Sequence, residues 1–175
     1  MPLDRRHFGH ALLAPITGSL LVGSASLLAS GCGGRDSAPS VGYTLLDGRS
    51  EQLAAQRGKV VLVTFWATSC VVCVREMPEL VATWRRFQAR GYDTLAVAVQ
   101  HDPPALVASF AESRALPFGV AIDNTGAVAK AFGSVRATPT HFVIDKRGGI
   151  AARGVGAPDF GTLHAQIERL LGETA

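Results

Sequence analysis

The run Phe65-Trp66-Ala67-Thr68-Ser69-Cys70-Val71-Val72-Cys73-Val74-Arg75-Glu76-Met77-Pro78 sets a Cys-x-x-Cys pair between an apolar stretch and an amphipathic one. Residues 59–66, just upstream, are nearly all β-branched or aromatic and follow Gly58, as expected of a strand buried on both faces. Downstream, Met77, Leu80, Val81, Trp84 and Phe87 recur at intervals of three and four, while Arg75, Glu76, Glu79, Arg85 and Arg86 fall on other faces. That spacing predicts a helix with one buried stripe, ending at Gly91. Cys70 stands at the entrance of this helix and Cys73 inside its first turn. The unpaired N–H groups and positive dipole end of a helix favour an anion, which raises the thiolate fraction of Cys70. Cys73, one turn further in, can close a disulfide with it. The first cysteine is expected to attack and the second to resolve. Pro78 lacks an N–H and is expected to kink or interrupt the helix.

Outward from this segment the pattern repeats. Residues 93–99, 118–122 and 140–145 read as further apolar strands, and Lys146-Arg147-Gly148-Gly149 as a turn into a last one over 150–153. Helical spacing covers residues 103–115, opened by Pro103 and Pro104, residues 125–132, closed by Gly133, and residues 159–171, with Asp159 as N-cap. Strands and helices alternate first and a hairpin comes late. This predicts an α/β domain with a central mixed β-sheet flanked by helices. A chain of 175 residues suits one such domain with an extension.

The extension is N-terminal. Asp4-Arg5-Arg6-His7-Phe8 precedes residues 11–29, which carry no charged side chain and are rich in Leu, Ala, Gly and Ser. This is the layout of an export signal, and the arginine pair resembles the twin-arginine type. Leu28-Ala29-Ser30-Gly31-Cys32 resembles a bacterial lipoprotein processing site, at which Cys32 would be acylated and become the new N-terminus. The pattern prefers Leu three residues before the cysteine, where this chain has Ala29. Ordinary cleavage and an uncleaved span are the alternatives. Residues 1–31 are therefore expected to be a removed signal, residues 32–40 a lipidated N-terminus and flexible tether, and residues 41–175 the folded domain, held on the periplasmic side of a bacterial membrane.

The chain has 17 Lys and Arg against 14 Asp and Glu, and the basic residues are scattered, which argues against a nucleic-acid partner. Three cysteines are too few for a disulfide scaffold or a four-thiolate zinc site. A mixed zinc site would need two of His101, His141 and His164 near the pair, and no metal or other cofactor is expected. A purely structural disulfide closing so short a ring would constrain the unfolded chain little.

The segment from Phe65 to Pro78 resembles the active-site segment of the TlpA/ResA-like branch of the thioredoxin superfamily. Ala137-Thr138-Pro139-Thr140-His141-Phe142-Val143-Ile144-Asp145-Lys146-Arg147-Gly148 resembles that branch's second signature. The resemblance runs in order from about Val41 to Leu171. It implies a thioredoxin-like fold and thiol:disulfide exchange through Cys70 and Cys73. It also implies a cis bond before Pro139, and substrate contacts from Trp66, Thr138 and Pro139. Expected partners are protein dithiol or disulfide clients, such as cytochrome c or copper-site assembly proteins, and an upstream redox donor, the protein itself being a monomer. The chain departs from the family in Ser69 and Val71-Val72. Thr64 stands where thioredoxins proper have a buried aspartate, which leaves the proton acceptor for Cys73 open. His101, at the end of the next strand, is a candidate for it. The competing functions are a copper chaperone using Cys70, Cys73 and His141, whose relatives place three residues between the cysteines, and a thiol peroxidase. The peroxidase would need a hydroxyl where Ala67 stands.

Overall fold

The computed structural model describes residues 34–175. The expected signal and the acylation site at Cys32 lie outside the described residues. In chain order the elements are β1 (Gly42–Thr44), β2 (Ser50–Gln52), β3 (Val60–Trp66), α1 (Val71–Phe87), β4 (Tyr92–Ala98), α2 (Pro104–Ser113), β5 (Gly119–Ile122), α3 (Ala127–Ala131), β6 (Thr140–Ile144), β7 (Ile150–Val155) and α4 (Phe160–Gly172). Five strands form one sheet in the order β5-β4-β3-β6-β7. β3 runs parallel to β4 and β4 to β5, whereas β6 is antiparallel to both β3 and β7. The mixed sheet expected from the sequence is present, with β3 at its centre.

Every residue of β3 is buried, and its alternation splits the core in two. Val60, Leu62 and Trp66 pack with Met77, Leu80 and Phe87 of α1, Val107 of α2, and Leu163, Ile167 and Leu170 of α4. Val61, Val63 and Phe65 turn to the other face, against Tyr43, Leu45, Leu53, Val128 and Phe132. Burying one such side chain contributes roughly 1.5–3 kcal/mol, and the helix stripe read from the sequence is the one that packs.

Several boundaries differ for local reasons. The β1–β2 hairpin was not expected, because strands of three residues are too short to display a period. α3 is shorter than residues 125–132, since Gly126 takes a left-handed conformation (φ +71°). The buried Asp123 carboxylate accepts from the N–H groups of Val128 (3.1 Å) and Ala129 (2.8 Å) to start the helix. Pro78 does not interrupt α1, which runs on to Phe87 with Pro78 on its exposed side and Met77 and Leu80 buried. Asp159 caps α4 as expected, accepting from the Thr162 N–H at 2.7 Å.

Residues 35–38, expected to be a free tether, are docked on the turn between β6 and β7. Ala38 N–H donates to the Gly148 carbonyl (2.8 Å) and Ile150 N–H to the Asp36 carbonyl (2.7 Å). Arg35 donates to Asp145 at 2.8 Å and to Glu173 at 2.9 Å. Burial alone would raise the Asp145 carboxyl, but the Gly149 N–H, the Arg35 guanidinium and the Arg147 N–H outweigh it and hold it below the usual carboxylate range. The sequence offered no apolar signal here because the docking is made by backbone groups and charge.

Candidate active site

β3 ends at Trp66, and the loop Ala67–Ser69 carries the chain to α1. Asp102, buried on the loop after β4, fixes the Ala67–Ser69 loop by accepting from the Thr68 N–H (2.7 Å) and the Thr68 hydroxyl (2.5 Å). Cys70 is the N-cap of α1 and its sulfur accepts from the Cys73 N–H at 3.3 Å, as an N-cap side chain does. Cys70 and Cys73 form a disulfide, their Cα atoms 5.3 Å apart. The two sulfurs are placed unequally: Cys70 is half-buried, Cys73 is fully buried. Val71, next to Cys70, is 69% exposed, so an apolar side chain faces solvent beside the accessible sulfur.

The second signature folds onto the first. The Thr138–Pro139 bond is cis, as the resemblance implied, and the Thr138 carbonyl oxygen lies 3.5 Å from Cys70 Sγ. Thr138 also lines a surface groove of about 510 Å³ together with Val99, Gln100, His101, Lys130 and Arg136. Pro139 is buried behind it.

Trp66 is not at the surface. It is fully buried, packs on Phe110 with ring centroids 5.1 Å apart, and shares a core cluster with Cys73. The substrate contact expected of it is corrected to a supporting one: the strand alternation that buries Val60 and Leu62 turns Trp66 the same way. His101 is exposed on the loop after β4 and belongs to the groove with Thr138, whereas Cys73 is sealed in the core.

Buried polar groups accompany Cys73 that the sequence reading did not single out. Glu76, which helical spacing had put off the buried stripe, is only 4% exposed. It follows Cys73 by three positions, the interval that makes neighbours on a helix face, and this was the available signal. His141 of β6 is 5% exposed, and its Nε2 lies 3.5 Å from Glu76 Oε1. Neither side chain has a hydrogen bond to another group of the protein. Thr64, opposite His141 in the β3–β6 register, also has no partner for its buried hydroxyl.

A mixed sheet in this order, a Cys-x-x-Cys disulfide at the entrance of α1 and a cis Thr138–Pro139 bond whose Thr138 carbonyl meets Cys70 define the thioredoxin-like class of fold. A Redoxin family profile matches residues 35–169, and the chain belongs to that family. Among curated relatives, it is 40% identical over 111 residues to the thiol-disulfide oxidoreductase ResA of Geobacillus thermodenitrificans, covering 63% of this chain and 63% of that one. With ResA of Bacillus anthracis the identity is 29% over 133 residues, 76% of each chain. Among solved structures, a thiol:disulfide interchange protein of the thioredoxin family from Chlorobium tepidum superposes with a TM-score of 0.72 at 26% identity, over 79% of this chain and 97% of that one.

Proposed function

We propose that the chain is a thiol:disulfide oxidoreductase that acts on protein clients through Cys70 and Cys73, on the extracytoplasmic side of a bacterial membrane. The observation that carries this reading is the asymmetric disulfide: one sulfur half-buried at a helix entrance under the cis-proline loop, the other fully buried. In the reduced protein the Cys70 thiolate attacks a client disulfide, one client sulfur leaves as a thiolate, and a mixed disulfide forms. Cys73 then loses its proton and attacks Cys70 Sγ, and the second client sulfur leaves. The client gains two electrons and the Cys70–Cys73 bond is restored, to be reduced again by an upstream dithiol donor. The sulfurs carry both electrons, so no cofactor is needed. Glu76, one helical turn from Cys73, is the buried carboxyl placed to take its proton, while His101 sits with the client groove.

Thr138 and Pro139 supply the edge against which a client strand lies, with the exposed Val71 as an apolar contact beside it. Cytochrome c or copper-site assembly proteins are the clients that the family resemblance suggests, and a monomer suffices for the chemistry. A peroxidase is disfavoured because Ala67 offers no hydroxyl and the nearby Thr68 hydroxyl is held by Asp102. A copper chaperone is disfavoured because two residues separate Cys70 and Cys73, where the relevant chaperones place three. Equilibrating the purified protein with glutathione buffers tests the exchange, which predicts one two-electron transition confined to Cys70 and Cys73.

The export reading rests on Arg5-Arg6, the uncharged residues 11–29 and Cys32. It predicts a mature N-terminus that is an acylated Cys32, and a Cys32→Ser protein that is released in soluble form or left unprocessed. Mass spectrometry of the mature protein checks this. An unmodified terminus elsewhere would remove the anchor and leave the redox chemistry intact.

A further inference from the structure

Cys73 cannot give its proton to bulk water directly, because it is fully buried. The carboxyl one turn away, Glu76, is itself 4% exposed, and taking a carboxylate out of water with no partner is costly. A protonated Glu76 could not accept another from Cys73. The core resolves this with a second titratable group, His141, whose Nε2 is 3.5 Å from Glu76 Oε1 and which likewise has no hydrogen bond within the protein. Two facing groups of opposite charge, both buried, favour holding one proton between them, because that state is net neutral.

The charged groups nearest His141 on the neighbouring strands and helix are engaged elsewhere. On β3 the residue opposite His141 is Thr64, a hydroxyl, and on β7 it is Gly154. Arg153 of β7 lies over the Phe142 ring, its guanidinium carbon 5.4 Å from the centroid. From α4, Asp159 is taken up by its own helix cap and Gln166 donates to the Ala151 carbonyl. His141 also lines a cavity of about 200 Å³ between β6, β7 and the start of α4, together with Leu62, Gly154, Asp159 and Gln166. The pair therefore has Cys73 on one side and a route towards solvent on the other.

We propose that His141 is a positioning residue for the resolving step: its imidazolium keeps the Glu76 carboxyl ionised in the core, ready to accept the Cys73 proton. The step balances within the cluster. The Cys73 S–H bond breaks and its proton goes to a Glu76 oxygen. The new thiolate, compensated by the imidazolium, attacks Cys70 Sγ, and the Cys70–client bond breaks with its electron pair leaving on the client sulfur. The proton held by the pair is then released to solvent through the cavity beside His141. This rests on the exchange reading above.

The test separates the two halves of exchange. Reduced protein is mixed with a disulfide-bonded peptide, and formation of the Cys70 adduct and its resolution by Cys73 are timed separately from pH 5 to 9. Glu76→Gln should leave adduct formation unchanged and slow resolution about 100-fold. His141→Asn should slow resolution about tenfold at pH 7 and recover to near the unaltered rate by pH 9, where solvent base keeps the lone carboxyl ionised. In a Glu76→Gln background, His141→Asn should add nothing, because it acts through the carboxyl. Equal slowing at every pH, or additive losses in the double variant, would overturn the proposal, whereas absence of any Cys70 adduct would instead overturn the exchange reading. Nitrogen NMR of the unaltered protein decides the matter even where a variant fails to fold. The proposal requires an imidazolium signal for His141 at neutral pH, and a neutral ring contradicts it.

Discussion

Cells producing Cys73→Ser should accumulate the protein in covalent adducts with client proteins, linked through Cys70, and multi-turnover exchange should fall by more than about 10³-fold. The size of the effect follows from the geometry. Cys73 resolves the mixed disulfide from within the same helix turn, its Cα 5.3 Å from that of Cys70. A well-oriented intramolecular group acts at an effective concentration of about 10⁵ M or more, which external thiols at millimolar concentration do not match. The attacking sulfur survives in this variant because Cys70 is the half-buried member at the helix entrance, and Ser cannot displace the client. Adducts are counted on non-reducing gels and identified by mass spectrometry, with the Cys70→Ser, Cys73→Ser double variant as control. Recovery of the same adducts from the double variant would place the reactive sulfur elsewhere.

Trp66→Ala should destabilise the protein by about 3–5 kcal/mol, the usual cost of emptying a large aromatic site in a core. Trp66 is fully buried, packs at a tilt on Phe110, and belongs to the cluster that also encloses Cys73, Met77 and Leu80. Such a loss is a large share of the 5–15 kcal/mol typical of a domain, so the urea midpoint should fall steeply while the molecules that remain folded still form the Cys70 adduct. A surface role in client binding would give the opposite pattern: a change below about 1 kcal/mol in stability, with adduct formation lost.

The contrast between Trp66 and Glu76 marks how far the sequence could be read. The nearly continuous apolar run over residues 59–66 identified the central strand, and the three- and four-residue spacing after it identified α1, because both elements are buried along whole faces. The cysteine pair was legible for the same reason, as it occupies a junction between two strong periodic signals. A run buried on both faces carries no alternation that says which side chains reach the surface, so the pattern offers no check on the substrate contact that the family resemblance implies for Trp66. Glu76 failed in the other direction: a charged residue on a helix is ordinarily solvated, and only its distance of 3.5 Å from His141, 65 positions later in the chain, explains its burial. No local pattern records a contact made between α1 and β6. The docking of residues 35–38 was hidden similarly, since backbone hydrogen bonds to Gly148 and Ile150 leave no mark on the side-chain sequence.

Whether Cys70 and Cys73 form a working redox couple is decided by equilibrating the purified protein with graded mixtures of reduced and oxidised glutathione. The free thiols are then quenched and the state of each cysteine is read by mass spectrometry. One reversible transition is expected, in which Cys70 and Cys73 are oxidised together with the two-electron dependence of about 30 mV per tenfold change in the equilibrium constant. Cys70→Ser should abolish it and leave the buried Cys73 as an unreactive thiol. A disulfide that stays closed across the whole range, or a transition that survives Cys70→Ser, would mean that the pair is not the working couple.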